Sequence, residues 1–458
     1  MSATAATLPH PRWRLPLAGD ILGVSAATPV QDSMRLAREL GPIFVRRIFG
    51  NEVVFVCGAD LVGELADETR FAKHVGLGVQ ALRGIGGDGL FTAYNDEPNW
   101  RKAHDILQPA FTQRAMRAYH TAMLDVAGEL IRRWDRYAGG GPVDAAAEMT
   151  KLTLETIART GFGYGFDSFE RERPHPFVAA MVGTLRHAQR RNLRPPVIGR
   201  MLGVAADRRN AADSAYLAAV VDEVIRARIA SGDNSSDDLL GLMLHAPHPV
   251  TGEPLDPANI RNQVITFLVA GHETTSGALS FALYHLSQHR DVLARAQAEV
   301  DDVWGDGVPA FEQVARLRYV RRVLDESLRL WPTAPGFSRE ARTDTVLGGR
   351  YPMRAGHWAI VLLPMVHRDP VWGADPEAFD PDRFSPERVR ARPPHAYKPF
   401  GTGERACIGR QFALHEATLV LGLLLRRYDL RGEPGYRLRV QELLTLKPEG
   451  FRLTISRR

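Results

Sequence analysis

A long helical pattern with an apolar centre constrains the fold more than any other feature of this 458-residue chain. The pattern covers residues 260–286, about seven helical turns, and follows Asp256 and Pro257, a pair suited to cap and start a helix. Residues 264–270 are apolar nearly all round, and a helix of that kind must cross a protein interior. The sequence therefore predicts a core built around one buried helix.

Polar residues interrupt this helix at 270–275, where the sequence reads Ala-Gly-His-Glu-Thr-Thr. An acid and two hydroxyls inside a core helix cost free energy unless they are hydrogen-bonded. Gly271 weakens the helix, and the Thr274 hydroxyl can bond the carbonyl of the preceding turn, which bends helices. The pattern predicts a local groove. The alternative, polar groups satisfied by neighbouring backbone, fits a single threonine better than the whole set.

A second feature is the glycine-rich loop 400–409, which presents Cys407 just ahead of an apolar helical pattern at 410–425. Gly403 and Gly409 are expected to allow positive φ angles and close approach of the backbone. Arg405 and the loop N–H groups are expected to lower the pKa of the thiol, and such a thiolate can ligate a metal. The alternative is a small buried hydrophobe, a common state of an isolated cysteine.

Composition excludes several classes of protein. A hydrophobic fraction of 45% with 24% charged residues is ordinary for a globular protein, and a formal charge of +5 is too small for a nucleic-acid-binding protein. Cys57 and Cys407 form neither a disulfide framework nor a zinc motif. The N-terminus lacks signal-peptide order, and no apolar run reaches the ~20 residues of a membrane span. We expect a cytoplasmic protein without a membrane anchor.

Weaker patterns predict the domain organisation and secondary structure of the rest of the chain. We expect residues 1–40 to form an N-terminal lead-in and helix, and residues 41–458 to form a single domain. A hairpin is predicted around Gly50 and a long glycine-rich loop at 73–90. The basic run 186–194 predicts a solvated helix face; the alternative is an entrance that attracts anionic substrates. Helices are predicted at 98–120, 123–134, 145–161, 176–189 and 211–230, and strands near 345–347 and 358–363.

These motifs together resemble the cytochrome P-450 family. The loop 400–409 fills every fixed position of that family's Phe-x-x-Gly-x-Arg-x-Cys-x-Gly signature, and 270–275 resembles its (Ala/Gly)-Gly-x-(Asp/Glu)-Thr-(Thr/Ser) element. Glu326 and Arg329, with Arg383, resemble its Glu-x-x-Arg and Phe-x-Pro-x-Arg-Phe elements. The fold implied is mainly α with small β-sheets, in which the long central helix lies over a buried haem.

The resemblance also implies roles for individual residues. Cys407 is the axial haem ligand, Thr274 positions water at the bound oxygen, and Glu273 links that water to bulk solvent. The triad of Glu326, Arg329 and Arg383 fixes the segment before the cysteine loop. The residues expected to bind the cofactor are Lys73, Trp100, His104, Phe400, Arg405, Ala270, Gly271, Gly401 and Gly409. Those expected to line the substrate pocket are Phe91, Leu77, Val79, Leu82, Ala270, Thr274, Pro335, Gly336, Phe337 and Leu444.

The resemblance is closest to the haem domain of bacterial self-sufficient fatty-acid hydroxylases, in which a flavin reductase is fused to it. It implies haem b, O2 as co-substrate, and electrons from NAD(P)H through a flavin or iron–sulfur partner. No reductase follows Phe451. We therefore expect either a separate redox partner or a reductase domain outside this chain, and a monomer.

The residues of the hairpin do not determine which substrate the protein binds. That branch of the family anchors a fatty-acid carboxylate with an arginine and a tyrosine, at positions that hold Asn51 and Phe55 here. Arg46 and Arg47 are expected to reach the site only from other faces. The substrate is then a fatty acid or a neutral, bulkier hydrophobe such as a natural-product intermediate. Other functions are a peroxide-driven peroxygenase and a non-enzymatic haem protein; the pair of Glu273 and Thr274 favours a monooxygenase.

Overall fold

A computed structural model describes residues 7–191 and 203–458 of the protein. Helices make up most of it, and no helix in these two ranges is both long and apolar enough to cross a membrane. The helices are α1 Pro29–Leu40, α2 Ala59–Leu65, α3 Leu77–Gln80, α4 Arg83–Gly86, α5 Pro98–Leu107, α6 Gln113–Asp135, α7 Ala145–Phe162, α8 Pro176–Arg191, α9 Val204–Ser231, α10 Leu239–His245, α11 Pro257–Gln288, α12 Arg290–Trp304, α13 Phe311–Val314, α14 Arg318–Leu330, α15 Leu363–Val366, α16 Pro386–Ala391 and α17 Arg410–Arg427.

The strands form small sheets at the sides of the helical core. The largest sheet has the order β1-β2-β8-β5-β3, and the others have the orders β4-β12-β9, β10-β11 and β6-β7. The strands are β1 Ile43–Ile48, β2 Asn51–Val56, β3 Phe71–Lys73, β4 Val143–Asp144, β5 Gly336–Ala341, β6 Thr345–Leu347, β7 Tyr351–Met353, β8 Trp358–Leu362, β9 Tyr428–Gly432, β10 Val440–Glu442, β11 Leu446–Pro448 and β12 Arg452–Arg457. The mainly α architecture with small β-sheets is confirmed.

The central helix α11 begins where the sequence predicts. The Asp256 side chain accepts a hydrogen bond from the N–H of Asn259 at 2.8 Å, and Pro257 occupies the first turn. Most of the helix is buried. α7 packs along it at Gly271, where an added Cβ would lie only 2.8 Å from Ile157 Cγ1. Gly271 therefore allows the two helices to approach closely, in addition to any effect on helix strength.

Four predicted elements differ from the structure. The helix predicted at 123–134 begins earlier, at Gln113, as part of α6. The helix predicted at 98–120 is broken by a 3-10 turn at Gln108–Phe111, because Pro109 lacks the N–H that a continuing helix needs. The predicted loop 73–90 contains the short helices α3 and α4, and α9 begins at Val204, ahead of the predicted start at 211. Residues 192–194 of the predicted basic run lie outside the described residues, so neither interpretation of that run is tested there.

A buried ion pair supports the segment that leads to Cys407. Glu326 and Arg329 are both 0% exposed and are joined by two hydrogen bonds of 2.6 and 2.7 Å. Arg329 also donates to the carbonyls of His367, Pro376 and Ala378, and Arg383 Nε lies 3.5 Å from Glu326 Oε1. These extra hydrogen bonds offset the cost of burying the charges. The contact of Arg383 with the Glu326–Arg329 pair is the arrangement that the motifs predict.

One buried acid, Glu416 on α17, lacks such support. The residue is 0% exposed, and neither carboxylate oxygen accepts a hydrogen bond. Burial raises its pKa to about 8, and Thr156 offsets this only in part, since its hydroxyl donates to the Leu152 carbonyl at 2.9 Å. Glu416 is therefore neutral in the folded protein near pH 7.

We predict that Glu416→Gln makes the folded protein less sensitive to alkaline pH. In the unfolded chain this carboxyl ionises near pH 4.3, whereas the folded protein keeps it neutral to about pH 8. Its contribution to stability therefore falls as the pH rises between these values, by on the order of 1 kcal/mol per pH unit. The Tm of the variant relative to the native protein should increase steadily from pH 5 to pH 8, measured by circular dichroism.

The matched control is Glu170→Gln, because Glu170 is exposed. Its Tm should follow that of the native protein at every pH. A Glu416→Gln variant whose Tm changes with pH in parallel with the native protein would contradict the assignment of a neutral, buried carboxyl.

Candidate functional site

The backbone of loop 400–409 folds back on itself to present Cys407. The Cys407 N–H donates to the Phe400 carbonyl at 2.9 Å. Gly401 and Gly403 have φ angles of 73° and 71°, and a Cβ at Gly403 would lie 2.2 Å from Glu68 Oε1, so glycine is required there. The prediction of a positive φ at Gly409 is wrong: its φ is −80°. Gly409 serves through its N–H, which bonds the Cys407 sulfur.

The electrostatics around the thiol also differ from the prediction. The Cys407 thiol is solvent-accessible, although many protein atoms surround it. Desolvation by these atoms raises the pKa of Cys407, and the Gly409 N–H and Arg410 oppose this effect without overcoming it. Arg405 is not the cation beside the sulfur, because its guanidinium stacks on the Trp100 ring at 3.7 Å. A thiol in such surroundings becomes a thiolate against a bound cation, which is the state in which it ligates metals.

The centre of α11 is accessible at its polar turn. Ala270 is exposed although the turns on either side of it are largely buried. The Thr274 hydroxyl donates to the Ala270 carbonyl at 2.8 Å, as predicted. Phe111 connects the two elements: its ring stacks on Phe267 of α11 at 5.8 Å, and a Cβ at Gly409 would lie 3.8 Å from Phe111 Cε1 and 4.0 Å from the Cys407 sulfur. The structure thus brings the polar turn of α11 and the cysteine loop to one region.

Unpaired cationic groups lie beside the loop. The Arg405 guanidinium donates from Nη2 to the Tyr94 carbonyl at 3.2 Å, but its buried Nε and Nη1 have no partner. The pKa of Lys73 is lowered to about 7 by burial and by repulsion from Arg405 and Arg83. His104 stacks on Trp100 with ring centroids 5.0 Å apart. Buried N–H groups without acceptors fit an anion, and the two propionates of a haem are anions of the required kind.

The other predicted pocket residues are distributed as follows. Phe400 is half-buried below the Arg410 guanidinium, and Phe91 is 41% exposed, with its carbonyl bonded to Lys73 Nζ. Leu82 lies in the main hydrophobic core. Phe337 is on the opposite face of its strand from Gly336 and packs into a separate core, so its predicted place in the pocket is wrong. The other residues predicted to line the pocket are half-buried: Leu77, Val79, Pro335, Gly336 and Leu444.

Glu273 does not face bulk solvent, contrary to the prediction. The residue is 5% exposed, its Oε2 accepts from the Thr445 hydroxyl at 3.1 Å, and its Oε1 lies 3.5 Å from Lys447 Nζ. His272 Nε2 is also 3.5 Å from Oε1. Burial alone would raise the pKa of Glu273, but Lys447, His272 and Thr445 together hold it well below the usual range. The carboxylate is therefore ionised within a buried network.

Sequence reasoning missed two members of this network, Lys447 and Thr150, which come from outside α11. Lys447 lies on β11, 174 residues from Glu273 along the chain, and donates to the Thr150 hydroxyl of α7 at 2.9 Å. His367, which accepts from the Lys398 N–H at 3.1 Å and contacts Arg329, was missed in the same way. Neither residue belongs to a local motif. A lysine within an otherwise apolar strand is the only signal that the sequence offers for Lys447.

Comparison with known proteins agrees with this geometry. The family model described as cytochrome P450 matches residues 9–455. The chain belongs to the cytochrome P-450 family. A bifunctional cytochrome P-450/NADPH–P-450 reductase of Bacillus subtilis is 48% identical over 99% of this chain, and one of Bacillus cereus is 46% identical, also over 99%. A self-sufficient cytochrome P-450 monooxygenase of Penicillium expansum is 41% identical over 99% of the chain. The chain spans 42–43% of the length of these relatives.

For this cytochrome P-450, we predict that Lys447→Met reverses the pH dependence contributed by Glu273. In the native protein the lowered pKa stabilises the fold above the pKa of the unfolded carboxyl, about 4.3, and this stabilisation is lost as the pH falls. Without Lys447 the effect of burial dominates and raises the pKa, so the variant loses stability as the pH rises. The loss in free energy of unfolding, about 3 kcal/mol at pH 8, should decrease toward pH 5.

Thermal or denaturant unfolding at pH 5, 6.5 and 8 measures this loss. The double variant Lys447→Met/Glu273→Gln should recover most of it, because no unpaired buried charge remains. An unfolding free energy that differs from the native value equally at each pH, with no recovery in the double variant, would show that Lys447 acts through packing alone.

Proposed function

We propose that this chain is the haem-binding part of a monooxygenase, which inserts one atom of O2 into a C–H or C=C bond of an apolar substrate. The observation that carries the proposal is the meeting of Cys407, the Ala270–Thr274 turn of α11 and the unpaired Arg405 N–H groups in one region. The names of the similar proteins, which include monooxygenases and P-450 reductase fusions, support it.

The residues present fit haem b. Cys407 would hold the iron, with the Gly409 N–H bonding its sulfur, and Arg405, Lys73 and Trp100 would hold the propionates. When bound, haem with a thiolate ligand would supply the iron that binds dioxygen and the electron density that favours cleavage of the O–O bond. Phe400, Gly401 and Ala270 would contact the macrocycle.

Residues of this chain would bind water and transfer the protons that the reaction consumes. Monooxygenation consumes two electrons and two protons for each O2 and releases one water. The Thr274 hydroxyl donates a hydrogen bond to the Ala270 carbonyl, so its oxygen lone pairs remain able to accept a hydrogen bond from a water molecule. Glu273 is ionised beside Lys447, so it accepts a proton before it can pass one on. Thr274 therefore positions water, and Glu273 acts as a buried relay.

Electrons are proposed to come from NADPH through a reductase, as the names of the bacterial relatives suggest. The reductase is either a flavin or an iron–sulfur partner, on this chain's continuation or on a separate protein. We propose a cytoplasmic, monomeric protein. The substrate is a fatty acid or a neutral hydrophobe. A peroxygenase, which uses peroxide in place of O2 and a reductase, would not need Glu273 and Thr274.

The ligand assignment predicts an optical signature. The reduced native protein with carbon monoxide should show the absorption band of thiolate-ligated haem, and Cys407→Ala should abolish it, because the sulfur donor is removed. Cys57→Ala is the matched control, since that cysteine is buried away from the loop and burial raises its pKa to about 12. A band typical of histidine ligation, or an unchanged band in Cys407→Ala, would refute the proposal.

The role of Thr274 predicts a change in coupling. Thr274→Ala should keep haem and substrate binding but lower the product formed per NADPH by about tenfold or more, with the electrons diverted to hydrogen peroxide. Product, NADPH and peroxide are measured together with a reconstituted reductase. Thr274→Ser keeps the hydroxyl and should retain most of the coupling. Equal coupling in the native and alanine proteins would remove Thr274 from proton delivery.

A further inference from the structure

Asp88, in the loop that follows α4, joins that loop to two helices through its carboxylate. Asn99 of α5 donates to Oδ2 at 2.7 Å, and Asn259 and Asn262 of α11 donate to Oδ1 at 2.9 and 2.8 Å. Burial would raise the pKa of Asp88, but these hydrogen bonds outweigh that effect and hold the pKa below its usual range. An ionised carboxylate therefore accepts from three amide groups, and such hydrogen bonds are among the stronger ones in proteins.

Gln263 of α11 provides a second contact with the same loop. The residue is 0% exposed, its Oε1 accepts from the Leu90 N–H at 3.0 Å, and its Nε2 donates to Asn259 Oδ1 at 3.1 Å. A buried glutamine costs free energy unless its amide is hydrogen-bonded at both ends. Here one end holds the loop backbone and the other holds a residue that bonds Asp88. We call this group of side chains the loop clamp: Asp88, Asn99, Asn259, Asn262 and Gln263.

The loop lies against α11 more closely than larger residues would allow. A Cβ at Gly89 would lie 2.3 Å from Thr266 Oγ1 and 2.8 Å from the Asn262 carbonyl oxygen. Gly87 has a φ of 45°, and a Cβ there would lie 2.3 Å from Asn262 Nδ2. Glycine is therefore required at both positions, where it permits close packing on the helix.

The loop clamp lies beside the polar turn of α11. Asn262, Thr266, Ala270 and Thr274 follow one another at intervals of four residues, so each lies next to the one before on the helix surface. All four are half-buried or exposed, unlike most of this helix. The loop packs on the first two, and Ala270 lies one turn, roughly 6 Å, further along the axis. The loop therefore forms one edge of the candidate site.

Phe91 is the large apolar residue that this loop carries. It is 41% exposed, although Leu90 before it packs against the main core and Thr92 after it is 3% exposed and donates to the Gly86 carbonyl at 3.1 Å. Lys73 Nζ lies 2.5 Å from the Phe91 carbonyl oxygen and 5.7 Å from the centre of its ring. The backbone on both sides of Phe91 is therefore anchored, while its ring remains accessible.

We propose that Asp88 and Gln263 are positioning residues, which fix the backbone of Phe91. The ring then forms a wall beside the polar turn of α11, against which an apolar substrate packs. Both residues act through Phe91 and not by contact with the substrate. Because van der Waals contacts are lost within about an ångström, a wall in a fixed place limits which part of a substrate can approach the turn. This inference rests on the proposed function and adds to it residues that determine where the substrate is oxidised.

Hydrogen exchange tests whether the loop clamp holds the loop. Asp88→Asn keeps the shape of the side chain but leaves one acceptor oxygen in place of two. Exchange of the amides of residues 86–92, followed by mass spectrometry, should therefore become about tenfold faster. Asp96→Asn is the matched control, because it removes the same charge from an exposed residue of the same connecting segment, and it should leave exchange unchanged. Equal exchange in the native protein and Asp88→Asn would overturn the inference.

Two imidazoles, titrated into the haem-loaded protein, test whether the clamp acts through Phe91. Imidazole is small enough to contact only the iron, whereas the phenyl group of 4-phenylimidazole extends to the proposed wall. Asp88→Asn should raise the Kd of 4-phenylimidazole by about fivefold and that of imidazole by less than about twofold, as measured by optical shift. In the Phe91→Ala background Asp88→Asn should change neither Kd, because residues that act through one another are not additive.

Three results would show that Asp88 supports the fold and does not position Phe91: equal weakening of both imidazoles, a Kd for 4-phenylimidazole that stays the same or falls, or an effect of Asp88→Asn that persists in Phe91→Ala. Gln263→Leu should reproduce the effects of Asp88→Asn, and a folded variant that behaves as the native protein would remove Gln263 from this role. If Gln263→Leu fails to fold, Asp88→Asn decides the question. A native protein that binds haem and both imidazoles but forms no oxygenated product would overturn the proposed function alone.

Discussion

The pair of Glu326 and Arg329 holds the part of the structure on which the site depends. Its two charges are fully buried, and the remaining donors of Arg329 are used on the carbonyls of a segment 38–49 residues away. That segment continues, through the hydrogen bond from the Lys398 N–H to His367, into the loop that presents Cys407. An ion pair within one helical turn thus helps to fix a long stretch of chain that has only short helical turns of its own.

Local signals in the sequence predicted much of this structure. Asp256 and Pro257 start the central helix because capping acts within one turn, and Glu326 reaches Arg329 because residues three apart share a helix face. Arg405 was placed beside the sulfur because it is near Cys407 in sequence, but the loop turns it onto Trp100. Lys447 could not be found, because its contact with Glu273 exists only after β11 has packed on α11. The break at Pro109 was readable from the sequence and was overlooked.

Two of the ionisable side chains with buried, unpartnered atoms, Glu416 and Arg405, differ in how their charge is accommodated. Glu416 is neutral and has no hydrogen-bond partner, so it lowers the stability of the fold mainly when the pH rises. Arg405, in contrast, remains a cation whose free N–H groups lie at the cysteine loop, beside Trp100. A buried cation with open donors is better explained by an anionic ligand than by packing, whereas a buried carboxyl can relieve its own cost by taking up a proton.

The close approach of other elements to α11 limits how the interior can change. A methyl group at Gly271 would collide with Ile157, and one at Gly277 would lie 2.7 Å from the Leu446 carbonyl. Neighbouring elements therefore pack closely against the helix on two sides, and the helix cannot move toward either of them. A change in the shape of the space beside α11 is therefore expected to come from shortening side chains on the neighbouring elements, and not from moving the helix.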